Sequence, residues 1–206
     1  MVVTQIKPIN NKKSEIYIDY EFAFVLYKGE IHIYKLSEND EIPQKTYEEI
    51  VKVLTKRVKV RAMHLLEKRF LTRWELCDKL KKDGYTPEYI DIAVEYLDAY
   101  NYLDDERYAK DFIGIRTSKY SKARITQDLV KKGVDKNLIE SCFEELNEDG
   151  DCCKEDELIS QFLAKKGYSQ DMDKMQKQKL MAALFRKGFS MDNILRVMNA
   201  TLDTYY

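Results

Sequence analysis

A pair of cations followed by glycine recurs along this chain. Lys-Lys or Arg-Lys directly precedes Gly133, Gly167 and Gly188, and Lys-Lys-Asp precedes Gly84. This order is typical of the C-terminus of an α-helix, where cations stabilise the last carbonyl groups and glycine adopts the left-handed backbone conformation without steric cost. We therefore predict that each of these four glycines ends a helix.

Three of the glycines also share a register of hydrophobic residues. Gly84, Gly133 and Gly188 are 49 and 55 residues apart, which indicates a repeat of about fifty residues, long enough for three short helices. The recurring positions lie four residues before, eight residues before and six residues after each glycine: Leu80, Leu129 and Leu184; Leu76, Ile125 and Leu180; Ile90, Ile139 and Ile194. We expect them in the cores of the repeats. Residues suited to cap the helix after each glycine are Thr86 with Pro87, Asp135 and Ser190.

The N-terminal segment has a different pattern. The stretch SEIYIDYEFAFVLYKGEIHIYKL is rich in aromatic and branched residues, and Lys28-Gly29-Glu30 interrupts it in the manner of a hairpin loop. Thr46 and Glu49 then form a capping-box pattern, so we predict a long helix over 47–69.

These patterns predict a mainly α protein, with three tandem three-helix repeats in an elongated curved array and a small β-hairpin or sheet before them. The predicted segments are 1–45 for the sheet, 46–100 for the first repeat, 101–150 for the second and 151–206 for the third. We expect a monomer.

Composition excludes several classes of function. The 206 residues include 34% charged side chains but carry a formal net charge of only −1, unlike a uniformly basic nucleic-acid-binding protein. The longest apolar run, 22–27, is far too short to span a membrane, and no apolar signal segment is present, so we expect a cytoplasmic protein. Four cysteines without CxxC spacing and two histidines favour reduced thiols, no metal site and no cofactor.

The charge changes sign from block to block. Residues 52–82 carry eleven Lys and Arg against three acids, whereas 86–106 carry seven acids and no base. The blocks 107–136, 140–157 and 158–188 are again basic, acidic and basic. One interpretation is that acidic helices pair with basic neighbours on solvated faces. The other is that similar charged patches at regular spacing bind a partner that itself repeats, such as a protein filament or a nucleic-acid backbone.

Three consecutive acids in YLDDERYAKDFIGIR, residues 102–116, raise the question of a metal or catalytic site. Asp104 is suited to cap a helix, with Asp105 and Glu106 in its first turn. Tyr108, Phe112 and Ile115 would then form one buried stripe of that helix. We interpret the acids as structural.

The ordered set of motifs resembles the RecX family of regulatory proteins. YLDDERYAKDFI (102–113) and KARITQDLVKKGVDKNLIESCFEEL (122–146) are similar to the central RecX repeat. TRWELCDKLKKDGYTPEYIDIAVEYL (72–97) resembles the first repeat and KQKLMAALFRKGFSMDNI (177–194) the third, while YIDYEFAF is similar to an N-terminal segment of Gram-positive-type members. Two positions depart from the pattern: Trp74 stands where a polar residue is usual, and Gln176 stands where Thr72 and Ser121 begin the earlier repeats.

The resemblance implies a regulator without enzymatic activity that lies in the groove of the RecA recombinase filament on single-stranded DNA and restrains recombination, DNA repair and the SOS response. Single- or double-stranded DNA is a further candidate partner. We expect the contacts on Trp74 and on the cations at the helix ends: Lys81, Lys82, Arg116, Lys119, Lys122, Arg124, Lys131, Lys132, Lys165, Lys166, Arg186 and Lys187.

Other functions remain open at this point. A helical-repeat protein could bind DNA without RecA, because basic blocks can neutralise phosphates and Trp or Tyr rings can stack on bases. For Trp74, Tyr85 and Tyr120, core packing is the alternative to a partner contact. A hydrolase is disfavoured, since the sequence has no phosphate-binding glycine loop, no nucleophile motif and no histidine near the acids.

Overall fold

The computed structural model describes residues 1–148 and 155–200, and these contain three β-strands and ten α-helices. The strands are β1 (Val3–Pro8), β2 (Lys13–Ile18) and β3 (Glu21–Tyr27). The helices are α1 (Lys28–Ile33), α2 (Gln44–Lys68), α3 (Arg73–Lys82), α4 (Pro87–Ala99), α5 (Asp105–Arg116), α6 (Lys122–Lys131), α7 (Lys136–Glu148), α8 (Glu155–Lys165), α9 (Lys174–Arg186) and α10 (Met191–Ala200). The chain divides into two compact units, Met1–Asp104 and Asp105–Tyr206. No helix in the described part is long and apolar enough to cross a membrane.

The N-terminal sheet is an antiparallel meander in the order β1-β2-β3. Alternate residues of β2 and β3 are buried, so one face of the sheet packs on the core and the other faces solvent. Asp19 and Tyr20 connect β2 to β3 with φ angles of 50° and 70°, the left-handed conformation that a tight hairpin turn requires. The predicted small sheet is therefore confirmed.

The predicted hairpin loop at Lys28-Gly29-Glu30 is wrong, because these residues begin α1. The backbone N–H of Tyr27 donates to the Glu30 carboxylate at 2.8 Å, and Glu30 also forms an ion pair with Arg57 of α2. The alternating pattern of residues 31–36 suggests a strand, but the ion pair between Glu30 and Arg57 of α2 favours a short helix at this point.

The long helix α2 contributes a stripe of buried apolar residues to the core of the first unit. Ile50, Leu54, Val58 and Ala62 follow one another every four residues and are all buried. The helix is confirmed, but it begins before the predicted capping box: Pro43 is the N-cap, and Thr46 lies within the first turn. The first core joins this stripe to the sheet and to α3 and α4.

All four predicted helix ends are confirmed. Gly84, Gly133, Gly167 and Gly188 have φ angles of 94°, 79°, 65° and 92°, the left-handed region in which glycine ends a helix. Gly84 and Gly188 also lie against a neighbouring segment. A Cβ added at Gly84 would stand 2.8 Å from Val25 Cγ2, and one at Gly188 would stand 2.5 Å from Arg124 Cβ.

The hydrophobic register is confirmed with one partial exception. Leu80, Leu129 and Leu184 are fully buried, as are Leu76 and Ile125, and the three isoleucines after the glycines are buried as well. Leu180 is only half-buried at the edge of its core. The second repeat has a core from α5, α6 and α7, and the third has one from α8, α9 and α10. The mainly α fold with three-helix repeats and a small N-terminal sheet is thus confirmed.

The capping predictions are confirmed in most positions. Asp135 Oδ1 accepts from the Asn137 amide at 2.8 Å, and Ser190 Oγ accepts from the Asn193 amide at 3.1 Å. Thr86 is the N-cap of α4 with Pro87 in its first turn, but the Thr86 hydroxyl bonds the Glu88 carboxylate and not a backbone amide; that bond is the main cause lowering the Glu88 pKa.

Two details of the predicted helices are wrong. Ile115 is 76% exposed, because the buried stripe of α5 runs through Ala109 and Ile113, and Ile115 is turned about 200° around the helix from Ile113. Gln176 does not cap the third repeat's second helix. α9 begins one turn earlier at an Asp173 cap, whose carboxylate accepts from the Met175 amide at 3.3 Å.

Candidate functional site

The predicted contact residues divide into an exposed and a half-buried group. Trp74, at the second position of α3, is 52% exposed. The half-buried cations are Arg116, Arg124, Lys132 and Lys187. The exposed cations are Lys81, Lys82, Lys119, Lys122, Lys131, Lys165, Lys166 and Arg186. The half-buried cations therefore have packing roles inside the protein as well as charge.

A stacked pair of rings in α5 accepts two of the half-buried cations. The Tyr108 and Phe112 rings stack with centroids 6.1 Å apart. Lys132 Nζ lies 5.4 Å from the Tyr108 centroid and 6.0 Å from that of Phe112, and the Arg116 guanidinium lies 4.4 Å from that of Phe112. Since cations are attracted to the faces of aromatic rings, the end of α6 is fastened to α5 through these contacts.

The same alternation continues into the third repeat. Arg116 also lies 5.4 Å from the Tyr120 centroid, and Lys187 Nζ lies 5.1 Å from Tyr120 and 5.5 Å from Phe162. We call these seven residues the cation–aromatic row; in order they are Lys132, Tyr108, Phe112, Arg116, Tyr120, Lys187 and Phe162. The row connects the two repeats of the second unit.

Hydrogen bonds fix the junction between those two repeats. Lys187 Nζ donates to the Lys119 carbonyl at 3.1 Å, and the Ser121 amide donates to the Lys187 carbonyl at 3.1 Å. The Lys122 amide donates to the Glu155 carboxylate at 3.0 Å. The C-terminus of α9 thus packs on the N-terminus of α6, and Gly188 lies at the closest approach.

Ion pairs within the second repeat neutralise some of its cations. Asp128 lies 3.0 Å from Arg116 Nη1 and 3.4 Å from Arg124 Nε. Lys110 lies 2.6 Å from both Glu106 and Glu145, and the hydrogen bond to Glu106 is the first cause raising the Lys110 pKa. The Lys110–Glu145 pair therefore joins the basic block 107–136 to the acidic block 140–157, as one of the two interpretations of the charge blocks requires, whereas the Asp128 pairs lie within the basic block.

The acids of the YLDDERYA stretch lie at a helix start. Asp104 directly precedes α5, and Asp105 and Glu106 are in its first turn, where negative charge is stabilised by the helix dipole. Across residues 1–148 and 155–200, no group of three His, Cys, Asp or Glu side chains is placed to hold a metal ion. Cys77 is half-buried and Cys142 is buried, while Cys152 and Cys153 lie outside the described residues.

Of the two tyrosines considered as contacts, neither is fully open to solvent. Tyr85 is half-buried against the first core, and burial raises the pKa of its hydroxyl to about 12. Tyr120 is half-buried between the cations of the row. Sequence reasoning missed three other tyrosines, Tyr96, Tyr100 and Tyr102, which lie together at the end of α4. Their close spacing in EYLDAYNYL was the available signal.

An exposed cation recurs at one helix position. Lys82, Lys131, Lys165 and Arg186 each stand two residues before a helix-ending glycine, and all four are exposed. Lys82 Nζ also pairs with Asp78 at 2.6 Å. We call these four residues the helix-end cations.

Comparisons with known proteins identify the repeats. Family models match three segments: "RecX, first three-helix domain" over residues 59–97, "RecX, second three-helix domain" over 104–142 and "RecX, third three-helix domain" over 172–198. The three segments fall on the three predicted repeats.

Curated relatives match along nearly the whole length. The chain is 35% identical over 204 residues to "Regulatory protein RecX" of Caldanaerobacter subterraneus subsp. tengcongensis, covering 98% of this chain and 100% of that protein. It is 30% identical over 200 residues to "Regulatory protein RecX" of Clostridium perfringens strain SM101, covering 91% of this chain and 89% of the relative. A "Crystal structure of regulatory protein RecX" is 19% identical, with a TM-score of 0.59 over 96% of this chain and 98% of that one. At this identity the likeness shows the fold alone.

Proposed function

The chain belongs to the RecX family of regulatory proteins, and from this premise we propose that it binds the RecA recombinase filament on single-stranded DNA and inhibits it. The inhibited activities are ATP hydrolysis, strand exchange and the SOS coprotease activity. The protein acts by binding, without catalytic residues of its own, and modulates recombination and DNA repair through RecA.

The observation that carries this proposal is the recurrence of the helix-end cations. Each repeat presents an exposed cation at the equivalent end of its second helix: Lys82, Lys131 and Arg186. Lys165 adds a fourth at the end of α8. A surface that repeats with the modules of a protein suits a partner that repeats as well, and a nucleoprotein filament repeats in both its protein and its phosphates.

The contact surface in this proposal consists of the exposed cations and Trp74. Arg116, Arg124, Lys132 and Lys187 support it indirectly, because their contacts hold the helices that present the exposed cations. Reversing the charge of a half-buried cation would disturb packing and binding together. A test of the surface must therefore change exposed cations only.

The test measures RecA's DNA-dependent ATP hydrolysis while this protein is added below equimolar amounts. The wild-type protein should slow hydrolysis. The variant carries Lys131→Glu, Lys165→Glu and Arg186→Glu. Because exposed charges act mainly on the association rate, this variant should bind the RecA filament more slowly and with weaker salt dependence than the wild-type protein.

The matched control carries Lys136→Glu, Lys174→Glu and Lys179→Glu, three exposed lysines of the same unit, none of which stands at the C-terminus of a helix. It changes the net charge by the same amount. Equal inhibition by both triple variants at physiological salt would contradict the assignment to the helix-end cations. Unaltered RecA activity in the presence of the wild-type protein would contradict the proposed function itself.

A further inference from the structure

Three tyrosines form an open aromatic row in the first unit. The Tyr96 and Tyr100 ring centroids are 5.1 Å apart, and those of Tyr100 and Tyr102 are 6.1 Å apart. Tyr100 is 60% exposed and Tyr102 is 56% exposed. We call these three residues the tyrosine row. Tyr96 lies seven residues after the buried Tyr89, on the same stripe of α4, and is half-buried against the first core, so the row begins at the core and continues outward to the exposed Tyr100 and Tyr102.

Lysines of α2 lead up to the tyrosine row. Lys59 Nζ lies 4.9 Å from the Tyr96 centroid, which places this part of α2 directly beside the row. Lys56 and Lys52 stand three and seven residues before Lys59, so they share its face of the helix, and both are exposed. We call Lys52, Lys56 and Lys59 the lysine stripe.

The arginines of α2 do not belong to this stripe. Arg57 forms an ion pair with Glu30, and Arg61 lies 2.7 Å from Asp83. Both pairs lie on a different face of α2, toward the sheet and the end of α3. The cations beside the tyrosines are thus lysines, of which Lys52 and Lys56 are exposed and Lys59 is half-buried against Tyr96.

The acids of α4 lie on a different stripe of the helix from Tyr96 and Tyr100. Glu88, Asp91, Glu95 and Asp98 follow helical spacing on a stripe of their own, whereas Tyr96 and Tyr100 are four residues apart on another. Asp98 is two residues from each of those tyrosines, and Arg73 neutralises it through two hydrogen bonds of 2.7 Å. Arg73 therefore compensates the carboxylate that lies between Tyr96 and Tyr100 in the sequence, while Asp104 and Asp105 follow Tyr102 at the far end of the row.

We propose that the tyrosine row is a stacking platform for the unpaired bases of a single-stranded nucleic acid, with the lysine stripe holding the phosphates. Aromatic rings accept any base because every base has an aromatic face, and a neighbouring line of cations follows the backbone. This contact needs no RecA, so it goes beyond the proposed function. It places a direct nucleic-acid contact on the first repeat.

The test measures fluorescence anisotropy of a labelled oligothymidylate, without RecA, as the protein is added. The variant Tyr100→Ala with Tyr102→Ala should weaken binding at least about five-fold for each ring removed. Tyr100→Trp with Tyr102→Trp should restore it, because indole rings also stack. Lys52→Ala with Lys56→Ala should lower the slope of affinity against salt concentration.

The matched control is Tyr20→Ala, which removes a tyrosine that is 89% exposed in the same unit. It should leave oligonucleotide binding unchanged. Each of three results would overturn the inference. The double alanine variant could bind with wild-type affinity, Tyr20→Ala could cause an equal loss of affinity, or the wild-type protein could fail to bind the oligonucleotide. Loss of RecA inhibition with intact oligonucleotide binding would also overturn it, since the row would then contact protein. The proposed function fails separately, when the wild-type protein binds oligonucleotide but leaves RecA unaffected.

Discussion

Replacing Gly188 by alanine should loosen the junction between the second and third repeats. Gly188 has a φ of 92°, and an added Cβ would stand 2.5 Å from both Arg124 Cβ and Ser121 Oγ. Those two atoms belong to the first turn and cap of α6, which cannot give way as the tip of a flexible side chain could. The C-terminus of α9 and the N-terminus of α6 must therefore separate.

The size of the effect follows from a comparison with Gly167, which has a φ of 65° and nothing within 4 Å of an added Cβ. Gly167→Ala should cost only the left-handed strain of about 1–2 kcal/mol. Gly188→Ala adds overpacking of about 1–3 kcal/mol and weakens the Ser121 amide to Lys187 carbonyl bond, worth about 1 kcal/mol. We expect a destabilisation of about 3–6 kcal/mol for Gly188→Ala, which is about 2–4 kcal/mol more than for Gly167→Ala.

Thermal melting followed by circular dichroism measures the difference. For a unit of about 100 residues, 1 kcal/mol shifts Tm by roughly 4–8 °C, so Gly188→Ala should melt at least about 8 °C below Gly167→Ala. Both glycines lie in the third repeat, so they share the same background stability. Equal melting temperatures would show that the repeats are not held together at Gly188, and would refute the reasoning from close approach.

Three further outcomes follow from other contacts. Leu129→Ala should destabilise the second unit by about 2–5 kcal/mol in urea unfolding, because Leu129 is fully buried, and an unchanged midpoint would break the register of the repeat. Lys187→Met should lower the urea midpoint, because Lys187 lies over Tyr120 and Phe162, whereas Lys166 is exposed and Lys166→Met should leave the midpoint unchanged. Equal midpoints would contradict the role of the cation–aromatic row. Burial raises the pKa of the Tyr85 hydroxyl from 10.0 to about 12, so the stability that this group contributes is present below about pH 10 and is lost as the pH rises toward 12. Over this pH range the Tyr85→Phe variant should therefore lose less stability than the wild-type protein. Parallel losses in the two proteins would be inconsistent with burial of the hydroxyl.

The fold was largely predictable because its signals are local and periodic. Leucine four residues before a helix-ending glycine is a pattern within one helix, and it correctly placed Leu80, Leu129 and Leu184 in the cores. The same local reasoning failed at Lys28 to Glu30, where the outcome depends on Arg57 of α2. It also failed at Ile115, since a helical period does not decide which stripe of the helix is buried, and in α5 that stripe runs through Ala109 and Ile113.

The candidate site was less predictable, because counting charges along the sequence does not show which cations are covered by side chains from other helices. Lys131 and Lys132 are adjacent cations in the sequence, yet Lys131 is exposed and Lys132 lies over Tyr108 and Phe112. Which cation is covered depends on the position of α5, about twenty residues earlier in the chain. The tyrosine row was missed for a related reason: Tyr96, Tyr100 and Tyr102 are unremarkable singly, and only the turn after α4 brings the third beside the other two.

Two charged residues directly precede each of the aligned glycines, Gly84, Gly133 and Gly188, and the two have different surroundings. Adjacent residues of a helix point about 100° apart, so two neighbouring charges cannot both face the same way. Before Gly84, Gly133 and Gly188, the outer member is an exposed cation, and the inner member contacts its own unit: Asp83 pairs with Arg61, Lys132 covers Tyr108, and Lys187 covers Tyr120. Gly167 ends the first helix of its repeat instead of the second, and there Lys166 is exposed. The inner charge therefore stabilises the repeat, whereas the outer cation is exposed, with Lys82 also paired to Asp78, so the helix-end cations are the sharper target for mutations that must leave the packing intact.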